Sequence, residues 1–402
     1  MKIAHVITRF VRGGADENTL LSCNAQAEAG HDVLLISGRD RSQALMERVH
    51  PKVVVRVAES LVREIDLLRD LRALGELRTL IRDFQPDIVH THTSKAGILG
   101  RLAAWSLGER GIVHGVHILP FLNVGPLQRF VYLSLERLVA PPTAAFVNVS
   151  SGMREACEDV RLGLGRHHVV PSGMDVDRFW AGQGFSTAEL AGELGLAETQ
   201  AGAVELIVMA AALEPRKRIF EFLDVFAKVA AERPLARFVV LGEGFDRARI
   251  EARAAALGVS ERVHLVGFRS DPERWMKTAA VCVLSSEREG LPRVLVQYAL
   301  CGRPIVTTRL PGVDHVLRDG VTSFLTPVDD VSAMAGPLLA LLEDPALAQR
   351  MAAATAALDL SAWSVRSMVD QLDAIYLEVL ERHGGTNGAR LAFARNSAEM
   401  IS

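Results

Sequence analysis

Short apolar runs alternate with helical patterns along this chain, and the alternation runs through twice. In the first pass residues 3–7, 33–36, 88–90, 112–116 and 145–149 read as strands, and 18–29, 67–84, 95–107 and 127–139 as helices. After Val169-Val170-Pro171 it restarts, with strands expected at 205–210, 237–241, 264–266, 281–284 and 305–307. Apolar runs this short are buried on both faces, which a parallel sheet wrapped by its own crossover helices provides. The expectation is an α/β chain of two doubly wound, Rossmann-like domains facing each other across a cleft. The first domain spans 1–175 and the second 176–360, with linker inside the polar stretch 175–199. A helix over 361–383 crosses back to the first domain, and 384–402 reads as a flexible tail.

A chain of 402 residues is too long for one ordinary core. A net charge of −3 argues against a nucleic-acid binder. The four cysteines lack metal spacing, and Cys23, Cys282 and Cys301 fall in apolar patterns as buried reduced thiols. The opening MKIAHVITRF has no long apolar stretch, and no segment approaches a membrane span. A cytoplasmic protein is expected, with a peripheral contact at the inner face of the membrane left open. Residues 1–170 carry 21 Lys and Arg against 18 Asp and Glu, a mildly basic balance on an acidic background.

The stretch 281–308 bears most directly on chemistry. A buried strand, a polar turn at 285–290 and a helix opened by Pro292 follow one another. Free N–H groups and the helix dipole at such a junction favour an anion. Gly290, Leu291, Arg293 and Val294 would supply the amides, and Glu289 beside them could accept from sugar hydroxyls. Lys217, in the loop after strand 205–210, could neutralise a diphosphate leaving group. Gly13 and Gly14, between the first strand and its helix, let backbone approach a ligand closely. Phosphate plus hydroxyl recognition suggests a nucleotide sugar.

Several ordered motifs together resemble the retaining GT-B glycosyltransferases of family 4, across almost the whole chain. They are Gly13-Gly14-Ala15, PDIVHTHTSKAGILGRLAA at 86–104, VHGVH at 113–117 and VPSGMDVDRF at 170–179. LEPRKR at 213–218, LGEG at 241–244, LVGF at 265–268 and the Glu289 segment complete the set. The THTSKAG and HGVH pair is most similar to members that build capsule, lipopolysaccharide or O-antigen sugars. The resemblance implies a nucleotide-sugar donor, a carbohydrate or lipid-linked acceptor, and no catalytic metal or other cofactor. It places Lys217 on the phosphate-binding lysine, Glu289 on the first Glu of a paired-Glu motif, and His114 on the active-site histidine. Retention without an obvious carboxylate nucleophile then implies front-face attack assisted by the leaving phosphate.

Two positions depart from the family. Ala212 stands where an Arg usually precedes the lysine by five residues, and Arg216, Arg218 and Arg293 are the candidate substitutes. Gln297 stands where a second Glu usually holds the ribose; it still donates and accepts, without the charge. These departures keep a second reading open, a degenerate nucleotide-sugar-binding protein, and a GT-B nucleotide-sugar epimerase is a third.

The acceptor side is assigned to Gly13, Lys95 and His117. His90, His92, His114 and His117 crowd into 28 residues. They lie on different strands without Cys or carboxylate companions, so a metal site is not expected. Asp175 and Asp177 form a DxD pair read as part of the interdomain connection.

Overall fold

The computed structural model describes residues 1–11, 13–117, 119, 121, 124–289 and 293–382; the expected tail at 384–402 lies outside them. The chain divides into two compact units, Met1–Met174 with the chain from Ala362 onward, and Asp175–Ser361. Among the described residues each unit is built on one wholly parallel sheet.

In the first unit the strands are β1 (Lys2–Ile7), β2 (Asp32–Gly38), β3 (Val54–Ala58), β4 (Ile88–His92), β5 (Ile112–Val116), β6 (Ala145–Asn148) and β7 (His167–Val169). Their order is β3-β2-β1-β4-β5-β6-β7. The period of two divides each strand between faces. Ile3, Ile88, Val113, Ala145 and Val147 pack against Met368, Val369, Leu372, Ile375 and Tyr376 of the helix Val365–Arg382. Ala4, Val6, Val89 and Ile112 face the other way, onto the helices Leu67–Phe84 and Ser94–Ser106. The first of these starts at Asp66, whose carboxylate accepts from the Arg69 N–H, and stops at Gln85 in a left-handed conformation. The chain enters and re-enters this unit side by side: the Met174 N–H donates to the Trp363 carbonyl at 2.8 Å.

The second unit holds β8 (Glu205–Ala210), β9 (Ala236–Leu241), β10 (Val263–Gly267), β11 (Val281–Leu284), β12 (Ile305–Thr308) and β13 (Ser323–Thr326), ordered β10-β9-β8-β11-β12-β13. Buried Tyr298, on the helix Arg293–Leu300, clamps the central pair. Its hydroxyl accepts from the Ala210 N–H at 2.8 Å and donates to the Val283 carbonyl at 3.1 Å.

Three strands were not expected: β3, β7 and β13. All three are sheet edges. An edge strand is covered on fewer sides, so its sequence lacks the continuous apolar run that marks a central strand. The stretch 175–199, expected to contain linker, is largely helical instead, in the segments Val176–Ala181, Thr187–Leu194 and Glu198–Ala201. Asp175 caps the first, accepting from the Arg178 N–H, and Ser186 with Glu189 forms a reciprocal capping box on the second. Such caps make a polar, Gly-rich stretch helical without a strong apolar stripe.

Candidate functional site

In the second unit the chain leaves β8 through Ala211–Glu214 and makes one 3₁₀ turn, Pro215–Lys217, before the helix Ile219–Glu232. This loop is tied to the next one: the Leu213 N–H donates to the Glu243 carbonyl at 3.0 Å. Gly244 presses on it so closely that a Cβ would lie 2.3 Å from the Leu213 carbonyl oxygen. The loop after β11 is fastened on as well. The Ser285 hydroxyl donates to the Lys217 carbonyl at 2.8 Å, and the Glu287 N–H to the Arg216 carbonyl at 2.8 Å.

These ties bring Lys217 and Glu289 together, 72 positions apart in sequence. One carboxylate oxygen, Glu289 Oε1, takes the Lys217 ammonium, Arg216 Nη1 at 3.0 Å and the Ser286 hydroxyl at 3.0 Å. The Thr308 hydroxyl holds the Ser286 carbonyl at 2.6 Å from behind. Lys217 is buried, at 8 % exposed. Burial pulls its ammonium below the ordinary lysine value, and the Glu289 carboxylate works against that. Arg216, one of the three candidate substitutes for the missing arginine, reaches this cluster. Arg218 donates instead to the Val328 carbonyl at 2.6 Å, and half-buried Arg293 opens the helix Arg293–Leu300. Val294 and Gln297 lie on the same helix, half-buried, with Gln297 one turn beyond Arg293. Gly290 and Leu291, with Pro292, lie outside the described residues. Ser285, Ser286 and Thr308 position the cluster and were not expected to; hydroxyls at strand ends carry little signal alone.

In the first unit Gly13 and Gly14 open the helix Gly14–Glu28, Gly13 as its N-cap. A Cβ on Gly13 would crowd Asp16 at 2.8 Å, whereas a Cβ on Gly14 would meet no protein atom within 4 Å. The fold itself therefore does not demand glycine at position 14.

Two expected site residues are placed differently. Lys95 pairs with Asp70 at 2.5 Å and donates to the Glu64 carbonyl, so its charge ties two helix starts together rather than being offered to an acceptor. His114 sits mid-strand on the face that packs against the helix Ser94–Ser106. Its Nδ1 bonds the Thr91 hydroxyl at 2.9 Å, and a Cβ on Gly97 would lie 2.5 Å from its ring. It is 5 % exposed, and burial holds it neutral, well below the ordinary histidine value. A catalytic role at an open site does not suit that setting. His117, three residues on and beyond the strand end, falls by parity on the opposite face and is half-buried.

That opposite face gathers a histidine network of which the sequence showed only a part. His5 of β1, His90 and His92 of β4 and His117 share it. Each of the first three offers a ring nitrogen, and these lie within 4.8 Å of one another. They form two hydrogen-bonded strings, and the buried His90 Nε2 has no hydrogen-bond partner among the described residues. His5 Nδ1 and His92 Nε2 are 2.9 Å apart, His92 Nδ1 and His117 Nε2 3.0 Å, and His90 Nδ1 and the Tyr376 hydroxyl 2.6 Å. Gln26 closes the far end, its Oε1 2.8 Å from His5 Nε2. Gly115 makes the room: a Cβ there would come within 3.0–3.1 Å of nitrogens on His92, His117 and His90. Burial lowers His5 to about 4 and His90 and His92 well below their ordinary value. His5, Gln26 and Tyr376 escaped sequence reasoning because only the strand order β1-β4-β5 and the returning helix bring them together.

Comparison with known proteins gives this geometry a family. The profile for "Glycosyltransferase Family 4" matches residues 12–178, and that for "Glycosyl transferases group 1" matches 198–357. The UDP-Gal:alpha-D-GlcNAc-diphosphoundecaprenol alpha-1,3-galactosyltransferase of Escherichia coli is 27% identical over 354 residues, 86% of this chain and 89% of that protein. The putative glycosyltransferase EpsD of Bacillus subtilis is 26% identical over 70% of this chain and 74% of its own length. Among solved structures, Anabaena HepE in complex with UDP superposes with a TM-score of 0.76 at 20% identity, over 93% of this chain and 99% of that one. The two parallel-sheet units, matched in order by the two family profiles, make this chain a GT-B glycosyltransferase of the family 4 type.

Proposed function

We propose that the chain transfers a sugar, with retention of anomeric configuration, from a nucleotide-diphosphate sugar to a hydroxyl acceptor in surface-glycan synthesis. The observation that carries this reading is the Lys217–Arg216–Glu289 cluster. Two cations converge at the ends of β8 and β11, where a departing diphosphate builds negative charge, and a carboxylate stands beside them to hold sugar hydroxyls. Fixed cations there stabilise the transition state more than the ground state. Arg216 takes the part of the arginine that Ala212 lacks, and Gln297 holds the ribose through neutral hydrogen bonds. In the step itself the bond from the anomeric carbon to phosphate oxygen breaks with its electron pair. The acceptor oxygen bonds that carbon from the same face, and its proton passes to the departing phosphate. In the first unit His117 meets a sugar hydroxyl, and backbone at Gly14 lies close to the substrate.

The relatives' names support the acceptor class. The Escherichia coli relative is named for a diphosphoundecaprenol-linked acceptor. A lipid-linked acceptor fits the helix Pro126–Val139, which exposes Leu127 at 76 % and Phe130 at 69 %. Its one acid, Glu136, is buried on Arg101 at 2.6 Å, which leaves Arg129 and Arg137 as the helix's remaining charges. Apolar and cationic groups together suit an anionic bilayer surface. Among the described residues no single helix is long and apolar enough to cross a membrane.

The test is transfer from a panel of UDP-, GDP- and ADP-sugars to lipid-linked and free saccharides, with NMR of the product's anomeric centre. Lys217→Ala should lower transfer at least about 100-fold with the fold intact. Near-normal turnover of that variant, or an inverted product, would overturn the reading.

A further inference from the structure

Histidines on different strands argued against a metal in the sequence, and the strand order removes that objection. β1 and β4 are neighbours, and His5 stands directly across from His90 in register. His92, two positions on, shares their face. The three imidazoles are enclosed, at 0 %, 2 % and 1 % exposed. Each offers one nitrogen to a group in which none lies more than 4.8 Å from another. His5 Nδ1 and His92 Nε2 are 2.9 Å apart. Two nitrogens on one tetrahedral zinc ion, each bonded at about 2.0–2.1 Å, stand about 3.3 Å apart, so this pair is within about 0.5 Å of the required spacing. His90 adds what a hydrogen-bonded string does not account for. Its Nδ1 is 2.6 Å from the Tyr376 hydroxyl, but its Nε2 is buried with no hydrogen-bond partner among the described residues. Burying such an atom unpaired is costly, and a metal ion would take its lone pair. The outer nitrogens of the other two rings have neighbours. His5 Nε2 lies 2.8 Å from the Gln26 amide, and His92 Nδ1 lies 3.0 Å from His117 Nε2. An imidazole that gives one nitrogen to a metal carries its proton on the other, so a histidine ligand needs such an outer partner. Counter-charge stands on the returning helix Val365–Arg382. Asp373 acts on both His5 and Tyr376, and its Oδ1 is buried with no hydrogen-bond partner among the described residues. A cavity of about 10 Å³, lined by Asn18, His90, His92, Gly115, His117 and Met368 among others, reaches two of the rings and has room for one water.

We propose that His5, His90 and His92 form a binding site for one divalent transition-metal ion, with a water in the adjoining cavity as its fourth ligand. Three imidazoles without a thiolate or carboxylate ligand select zinc, nickel or copper over magnesium, calcium or manganese. The ion ties β1 to β4 beneath the returning helix and so stabilises the first unit. The site does not depend on the transfer reading made above.

The experiment uses the full chain stripped with EDTA, reloaded with Zn²⁺, Ni²⁺ or Co²⁺ and desalted. Elemental analysis should find one ion per chain, and the cobalt form should show the intense visible bands of a four-coordinate ion. Zinc at about 100 times its Kd should raise Tm by about 5–10 °C. Gln26→Leu keeps all three ligands and removes an outer partner, so it should lower zinc affinity about 10- to 100-fold. His90→Gln removes a ligand and should cost more than that. Gln26→Leu keeps the site testable should His90→Gln fail to fold. Wild-type protein that retains none of the three ions overturns the site, and so do retention and a Tm gain that the folded variants leave unchanged.

Discussion

Replacing Glu289 by Gln separates two roles that a loss of activity alone would confuse. The carboxylate occupies both cations: Lys217 directly, and Arg216 at 3.0 Å. A diphosphate binding there must compete with it. At 3.0 Å and an effective dielectric of about 20, one such pair is worth about 5 kcal/mol before desolvation. Arg216 is 40 % exposed and is screened by solvent, so its share is discounted. For the buried Lys217 arm, the net of a charge-assisted hydrogen bond is about 1.5–3 kcal/mol. Taking the lower figure, Glu289→Gln should bind a free nucleoside diphosphate about tenfold more tightly. The same variant loses its charge-assisted grip on sugar hydroxyls, so transfer should fall about 100-fold. Calorimetric titration with UDP, GDP and ADP, beside initial rates with the sugar conjugate, reads both numbers. If nucleotide affinity fell together with turnover, Glu289 would be part of the anion site rather than its competitor, and the assignment of roles would be wrong.

Gly14→Ala should raise Tm by about 1–3 °C, since alanine restricts the unfolded chain and its Cβ meets no protein atom; transfer should nonetheless drop about tenfold if backbone there approaches the substrate, and unchanged kinetics would place the substrate elsewhere. Acid should weaken the fold. His5 has a folded value of about 4 against an ordinary 6.5, so the unfolded chain binds the extra proton between those values and stability is lost as pH falls through that window. From pH 7 to pH 5 His5 alone removes about 2 kcal/mol. His90, His92 and His114 act in the same direction. Asp16, raised to about 6 by burial, opposes them by about 1 kcal/mol over the same interval. Urea midpoints should therefore fall between pH 7 and pH 5, and a flat or rising profile would contradict the buried neutral histidines.

Central strands were legible because they are buried on both faces and mostly apolar: 112–116, 205–210 and 281–284 are found where their sequences put them. Val54–Ala58, His167–Val169 and Ser323–Thr326 were not, because edge strands are only partly covered. Lys217 and Glu289 stood out since each follows a buried strand, and a strand end is where an α/β sheet presents chemistry. The histidines show the limit. His114 and His117 differ by three positions, an odd number, and so fall on opposite faces of β5. A family motif can be matched to either, and only the packing of Gly97 on one ring and the opening of Gly115 beside the other separates them. Lys95 misled for a different reason: its partner Asp70 lies on another helix, and no local spacing reports that pair.

The returning helix has a consequence for how the protein is made. His90 and Tyr376 touch across 286 positions of chain, and Ile3, Ile88 and Val113 share their cover with the same helix. When the strands of the first unit have emerged from the ribosome, that cover has yet to be synthesised. About 190 residues of the second unit come first, which at roughly 5–20 residues per second takes roughly 10–40 s. Throughout that interval an apolar sheet face and a row of unfinished histidine contacts stand open to water. The nascent first unit is thus exposed to holding chaperones until the helix Val365–Arg382 has emerged.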